Sequence, residues 1–244
     1  MQALLFAIRT GSLFSIRVPY TWQSALTYPL LPPSAVIGLL ANALQRFRND
    51  RPPLHCLSEV EDAVLWAGAR LTGPAVVRSF TTSAITKWTM EAGGKATNVL
   101  GRQYVFARTL DAAAILNDGD LAGTLADALL SAPITCGDSE SLSSVEAKPD
   151  LKAVAACDFP AGDIVQPAFP FPVDLSQVEV VHGTGQLLLS HARCMKKGDD
   201  FALLTYFYPI EERDGVLHPS RVEIRARRPL RGYRIETVGD VIAN

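Results

Sequence analysis

"LTYPLLPPSAVIGLLANALQRF", Leu26 to Phe47, decides how the first half of the chain is read. Two adjacent prolines hold the approach extended, because a residue before proline avoids the α region. Ser34 follows them as the expected N-cap, its hydroxyl placed to accept from a free backbone N–H of the first turn. Beyond it Val36, Leu39, Leu40, Ala43, Leu44 and Phe47 recur at helical spacing. That spacing predicts a helix over Pro33 to Phe47 with one stripe against a core. Gly38 leaves room for close packing on a sheet. Arg46 and Arg48 stand near the end, where positive charge suits the helix dipole.

Working outward, Gln2 to Arg9 is short and apolar and reads as a strand. Ser12 to Pro29 reads as an extended loop or strand. Arg51 to Pro53 breaks the chain, and Glu59 to Leu65 reads as a short helix. Ala75 to Trp88 and Val99 to Leu110 read as two strands of a long hairpin, with Ala92-Gly93-Gly94-Lys95 as its turn. Asp120 to Ser131 is a helix with Leu121, Leu125, Ala128 and Leu129 on one face. Ile134 to Val145 is a strand–turn–strand around Gly137-Asp138-Ser139. The order β-α-β-β-α-β over the first 148 residues predicts an α+β protein of ferredoxin-like, RNA-recognition (RRM) topology. Residues 1–150 form that domain, with a basic β-hairpin inserted at about 79–108. Residues 160–172 read as a linker or a wrapped extended segment. Val178 to Val181, Gln186 to His191, Phe201 to Tyr208 and Val222 to Arg227 are strands of a smaller β-rich C-terminal region, 151–244.

The 244 residues carry a net charge of −2, which argues against a uniformly basic protein. The charge is unevenly placed. Arg70 to Arg108 has a net of +5, Arg221 to Arg234 another +5, and Asp111 to Asp163 a net of −8. Two basic segments in an acidic chain can line one polyanion-binding surface, or can simply be solvated faces. Cys56, Cys136, Cys157 and Cys194 are far apart and form no paired motif, which argues against a zinc site or disulfide scaffold and fits a reducing, cytoplasmic setting. No apolar run reaches membrane-spanning length, so no membrane partner is expected. No carboxylate spacing suggests a metal nuclease, and neither metal nor cofactor is expected.

Three segments resemble the CRISPR-associated Cas five family. They are "SIRVPYTWQSALTYPLLPPSAVIGLLANAL", "GRQYVFAR" and "CGDSESLSSVE", and their order and spacing fit as well. The resemblance covers about 150 residues and looks closest to type I-A or I-B forms. It implies a non-catalytic RNA-binding subunit of a type I Cascade surveillance complex. Such a subunit grips the 5′ handle of CRISPR RNA (crRNA) and ends the filament of Cas seven subunits. It also implies contact with the Cascade large subunit and, indirectly, with target DNA. The family's thumb hairpin corresponds here to about Ser79 to Arg108.

Single-stranded RNA is held by cations on phosphates and by flat side chains under splayed bases. Lys87 and Lys95 are placed for phosphates, Trp88 for stacking and Met90 for wedging between bases. Arg102 and Tyr104 alternate with Gln103 and so share a strand face. Arg78 and Arg108 extend the basic track, and Arg17 and Trp22 are candidates to join it. Structural alternatives exist: Trp88 and Trp22 as core residues, and Arg102 as a partner of Asp138 or Glu140. Gly183-Thr184-Gly185 is a short candidate phosphate nest. Two rival functions remain. One is a metal-independent endoribonuclease processing the crRNA precursor with Tyr104, Lys87 and His182. The other is a structural adaptor without direct RNA readout. On the main reading the acidic block faces solvent or a basic protein partner, away from RNA.

Overall fold

The computed structural model describes residues 1–21, 24–85, 97–138, 140–195 and 203–243. Among them it is an α+β chain with three helices, α1 (Pro33–Arg48), α2 (Pro53–Ala63) and α3 (Gly119–Ser131), and many short strands. The strand Gln2–Thr10 lies at the centre of the main sheet. The order is Val64–Leu71, Thr109–Leu116, Gln2–Thr10, Leu142–Val145, Ile134–Thr135. Every pairing in it is antiparallel. Asp150–Ala153 also pairs with the first half of Gln2–Thr10, so that strand is covered along most of its length.

Alternation assigns the two faces of this sheet. Leu4, Phe6 and Ile8, with Leu110, Ala112, Ala114 and Leu116, pack under Val36, Leu40 and Leu44 of α1 and Leu121, Leu125 and Leu129 of α3. Each fully buried leucine contributes about 2 kcal/mol of apolar transfer. Ala3, Trp66, Ala113 and Ile115 point the other way, onto Val154, Phe169, Ile235 and Val241. The near-continuous apolar run of Thr109–Leu116 is what burial on both faces requires. The C-terminal region therefore covers the face of the main sheet opposite α1 and α3.

A second sheet is built on the hairpin. Ala75–Ile85 pairs with Thr97–Ala107 in register from Ala75 opposite Ala107 to Ile85 opposite Thr97. Ser24–Ala25 adds in parallel beside Gly101 and Arg102. Val216–Pro219 pairs with the base of Ala75–Ile85, and Ile210–Arg213 pairs with Val216–Pro219. The hairpin is thus anchored from both halves of the chain.

Several expectations change. Ser34 makes no capping bond; Pro32 is the N-cap and Pro33 opens the helix, since a proline lacks only an N–H that would go unpaired there. Gly38 lies against Cys194 rather than a sheet. α2 begins at Pro53, six residues before the predicted Glu59. Val64–Leu71 is a strand that the short-helix reading hides. The predicted strand Val99 to Leu110 is two strands in two sheets, divided at Arg108. The hairpin strands are therefore not the middle strands of the main sheet, as the β-α-β-β-α-β order predicts. Val64–Leu71 and Thr109–Leu116 hold those places, and the hairpin is inserted between them. Residues 160–172 wrap rather than link: Phe169 and Phe171 are buried, and Phe171 stacks on Phe207 at 5.4 Å.

Candidate nucleic-acid interface

The hairpin's two faces have different fates. Ala75, Val105 and Ala107 point inward and are buried, and Val105 exchanges backbone hydrogen bonds with Phe14 at 2.8 and 3.0 Å. Arg78, Phe80, Arg102, Tyr104 and Phe106 point outward. The register sets Arg78 opposite Tyr104 and Phe80 opposite Arg102, so the four share one face. Phe80 is 46% exposed and Phe106 48%. Phe80 meets Tyr104 edge to face at 5.7 Å, and the Arg102 guanidinium carbon lies 4.9 Å from the Tyr104 ring centroid. This is a strip of flat rings interleaved with cations, the side-chain chemistry that holds single-stranded nucleic acid.

The cations on it differ. The Arg78 guanidinium is exposed and donates to its neighbour's carbonyl, Val77 O, at 3.0 Å. Arg108 is exposed just beyond the hairpin base. Arg102 pairs with Asp138, the structural alternative to a free cation at this position. Its charge is partly met within the protein. Arg17 is also exposed and donates to Thr21 O at 2.6 Å, on the segment that leads toward Ser24–Ala25. Trp22, Lys87, Trp88, Met90 and Lys95 lie outside the described residues, as does the hairpin turn.

The Gly137-Asp138 turn meets this strip at Arg102, at the end away from the hairpin base. Gly137 has φ +85°, and a Cβ there would stand 2.5 Å from Ser15 O, so only glycine fits. The Ser141 hydroxyl lies between Asp138 Oδ1 and Leu13 O, 2.8 Å from the latter. Gly11 N donates to Leu142 O at 2.9 Å. The turn therefore sits on the segment following the first strand and reaches the hairpin through Arg102. The acidic block is not uniformly remote from the cations: Asp111 receives two bonds from Arg70, at 2.9 and 3.1 Å, and Asp138 meets Arg102.

Sequence reasoning misses two features of this region. It takes Phe80 and Phe106 only as strand formers, although each stands at an i±2 position from a singled-out residue. The coverage of the main sheet's second face leaves no local signal, because Ile235 and Val241 lie at the far end of the chain from Ala3. At the Gly183-Gly185 pair a Cβ on Gly183 would meet Arg221 O at 2.2 Å, and one on Gly185 would meet the Phe207 ring at 2.2 Å. Both glycines serve close chain packing. His182 lines a cleft with Arg70, Ser220 and Arg221, whereas Tyr104 stands in the aromatic strip, so they belong to different surroundings.

A CRISPR protein from Archaeoglobus fulgidus shares the fold, with a TM-score of 0.61 at 14% identity over 100% of this chain and 99% of that one. A chain of a CRISPR RNA-guided surveillance complex aligns over 99% of this chain and 91% of its own, at 16% identity and TM-score 0.47. A chain of the type III-B Cmr-beta complex bound to cognate target RNA aligns over 91% and 86%, at 9% identity and TM-score 0.49. No curated protein sequence matches significantly. A family model described as CRISPR-associated protein (Cas_Cas5) matches residues 4–137, which include α1, the hairpin and the Gly137 turn. With more than half of its length matched, the chain belongs to the CRISPR-associated Cas five family.

Proposed function

We propose that the protein is a non-catalytic, cytoplasmic RNA-binding subunit of a type I Cascade complex. In this reading it grips the 5′ handle of crRNA and caps the Cas seven filament. The large subunit is its neighbour, and target DNA is met only through the assembled particle. The observation that carries the reading is the outward hairpin face, where Arg78, Phe80, Arg102, Tyr104 and Phe106 combine cations with flat rings. Family membership supplies the CRISPR context. The main-sheet order, with the first strand between Thr109–Leu116 and the last strands, supports a ferredoxin-like architecture. Because Phe169, Ile235 and Val241 occupy the face an RNA-recognition domain uses, RNA is taken by the hairpin instead.

The test is binding of a labelled handle RNA to the Lys87→Ala/Lys95→Ala/Arg102→Ala triple variant. We expect at least about a tenfold loss at low salt, where phosphate contacts weigh most. Unaltered affinity overturns the RNA role. Incubating the protein with repeat RNA in EDTA should leave the RNA intact; a cut that disappears in His182→Ala would establish the nuclease instead. Ultraviolet crosslinking inside the assembled complex should join the hairpin to the handle, whereas a pure adaptor would give no such product.

A further inference from the structure

We propose that Asp138 is a positioning residue that holds Arg102 over Tyr104, so that this point of the hairpin takes an unstacked nucleobase and not a phosphate. The inference rests on the RNA-binding reading above and sharpens it.

Arg102 is held from two directions. Its guanidinium lies over the Tyr104 ring and pairs with Asp138 Oδ2. Asp138 is itself fixed. Its other carboxylate oxygen meets the Ser141 hydroxyl, its backbone carbonyl accepts from Ser141 N at 3.2 Å, and the preceding Gly137 is pressed against Ser15 O. A phosphate brought to Arg102 would face Asp138 as well, so one carboxylate cancels the attraction of one guanidinium. A base has no such conflict. A guanidinium spread over a phenol, with Phe80 edge-on beside it, is a flat, weakly hydrated platform for a π-face. Arg78, directly opposite Tyr104, bonds only a backbone carbonyl in the described structure and keeps its charge for a phosphate. Two arginines on one face thus have different tasks, and Asp138 makes the difference.

Salt dependence separates these tasks, because each phosphate contact to a single strand contributes about 0.7 to the slope of log affinity against log salt. A purely structural role for Asp138 would not move that slope. Handle RNA and inorganic polyphosphate, which has no bases, are the two probes. For handle RNA, Arg78→Ala should flatten the slope by about 0.7. Arg102→Ala should weaken binding several-fold with the slope unchanged. Asp138→Asn keeps the turn's shape and frees the cation, so the slope should steepen by about 0.7. For polyphosphate, Asp138→Asn should tighten binding several-fold and Arg102→Ala should leave it unaltered. A flattened slope in Arg102→Ala, or an Asp138→Asn slope equal to the parent's, overturns the proposal. If the parent binds polyphosphate but not handle RNA, the RNA reading fails. The polyphosphate arm then still decides the clamp: affinity unchanged by Asp138→Asn sinks it. Should Asp138→Asn not fold, Arg102→Ala across both probes decides instead: weaker polyphosphate binding in that variant rejects the clamp, and a loss confined to RNA supports it.

Discussion

The chain has two basic segments of equal net charge, and the fold treats them differently. In Arg221 to Arg234, Arg225 and Arg227 both approach Glu179, at 3.6 and 3.7 Å, and Arg234 bonds Asp240 at 2.7 Å. Buried Ile224 and Ala226 flank Arg225, and the strand packs into the C-terminal core. In Arg70 to Arg108 ion pairs also form, Arg70 with Asp111 and Arg102 with Asp138. Pairing alone does not separate the two. Rings do: Phe80, Tyr104 and Phe106 accompany the hairpin cations on one exposed face. Charge draws in a polyanion, but a splayed base needs a flat surface, and of the two basic segments the hairpin is the one whose described rings, Phe80 and Phe106, stand exposed beside its cations.

The comparison breaks most readily at the turn that seats the hairpin. Gly137→Ala forces a side chain into left-handed backbone against Ser15 O, so we expect a loss of about 3 kcal/mol in chemical denaturation. A loss under about 0.5 kcal/mol would mean the turn does not anchor the hairpin.

Next comes the scaffold role of the C-terminal half. Burial pushes the Tyr206 phenol up to about 12, and the Tyr208 phenol is raised as well. A folded-state value above the unfolded one stabilises the protein below the unfolded pKa, near 10, and that contribution disappears as pH rises toward 12. Stability should fall between those limits, with Tyr206 contributing about 2 kcal/mol. Tyr206→Phe should blunt the fall. A flat alkaline profile in the parent protein would remove these tyrosines from the scaffold.

Direct substitution of the two segments then sharpens the contrast. Arg78→Ala/Arg108→Ala should weaken handle RNA about tenfold and flatten the salt slope by about 1.4. Arg225→Ala/Arg227→Ala should change affinity by less than about twofold, since exposed ion pairs and solvated cations contribute little. Equal losses in electrophoretic shift assays would dissolve the distinction.

The smallest effect is expected at the opening motif. An N-cap serine replaced by alanine commonly costs about 1 kcal/mol. Ser34 makes no capping bond, so Ser34→Ala should stay within about 0.5 kcal/mol by thermal or urea unfolding.

Much of the fold is legible where the signal is local. The end of α1 falls within one residue of its expected place because its apolar spacing and prolines act over a few turns. Gln2–Thr10 and the paired hairpin strands follow from their composition. Val64–Leu71 escapes sequence reading because its short apolar run joins α2 without a breaking residue. Thr109–Leu116 merges with the hairpin in the sequence because no glycine or proline marks Arg108 as a corner. On the hairpin, the shared face of Arg102 and Tyr104 follows from period-two spacing. The neighbours that complete it, Phe80 and Asp138, do not, since register and turn docking determine them.

By itself the sequence determined three things: the proline-led helix, an α+β alternation, and a basic stretch between strands that carries the family's motifs. These are short-range patterns, written in residues that touch within a few positions. Tertiary structure alone decided which strands pair in the main sheet, that its second face is covered, and which arginines meet a carboxylate. Those outcomes depend on contacts between residues far apart in the chain, where many pairings satisfy the same local pattern and only packing selects one.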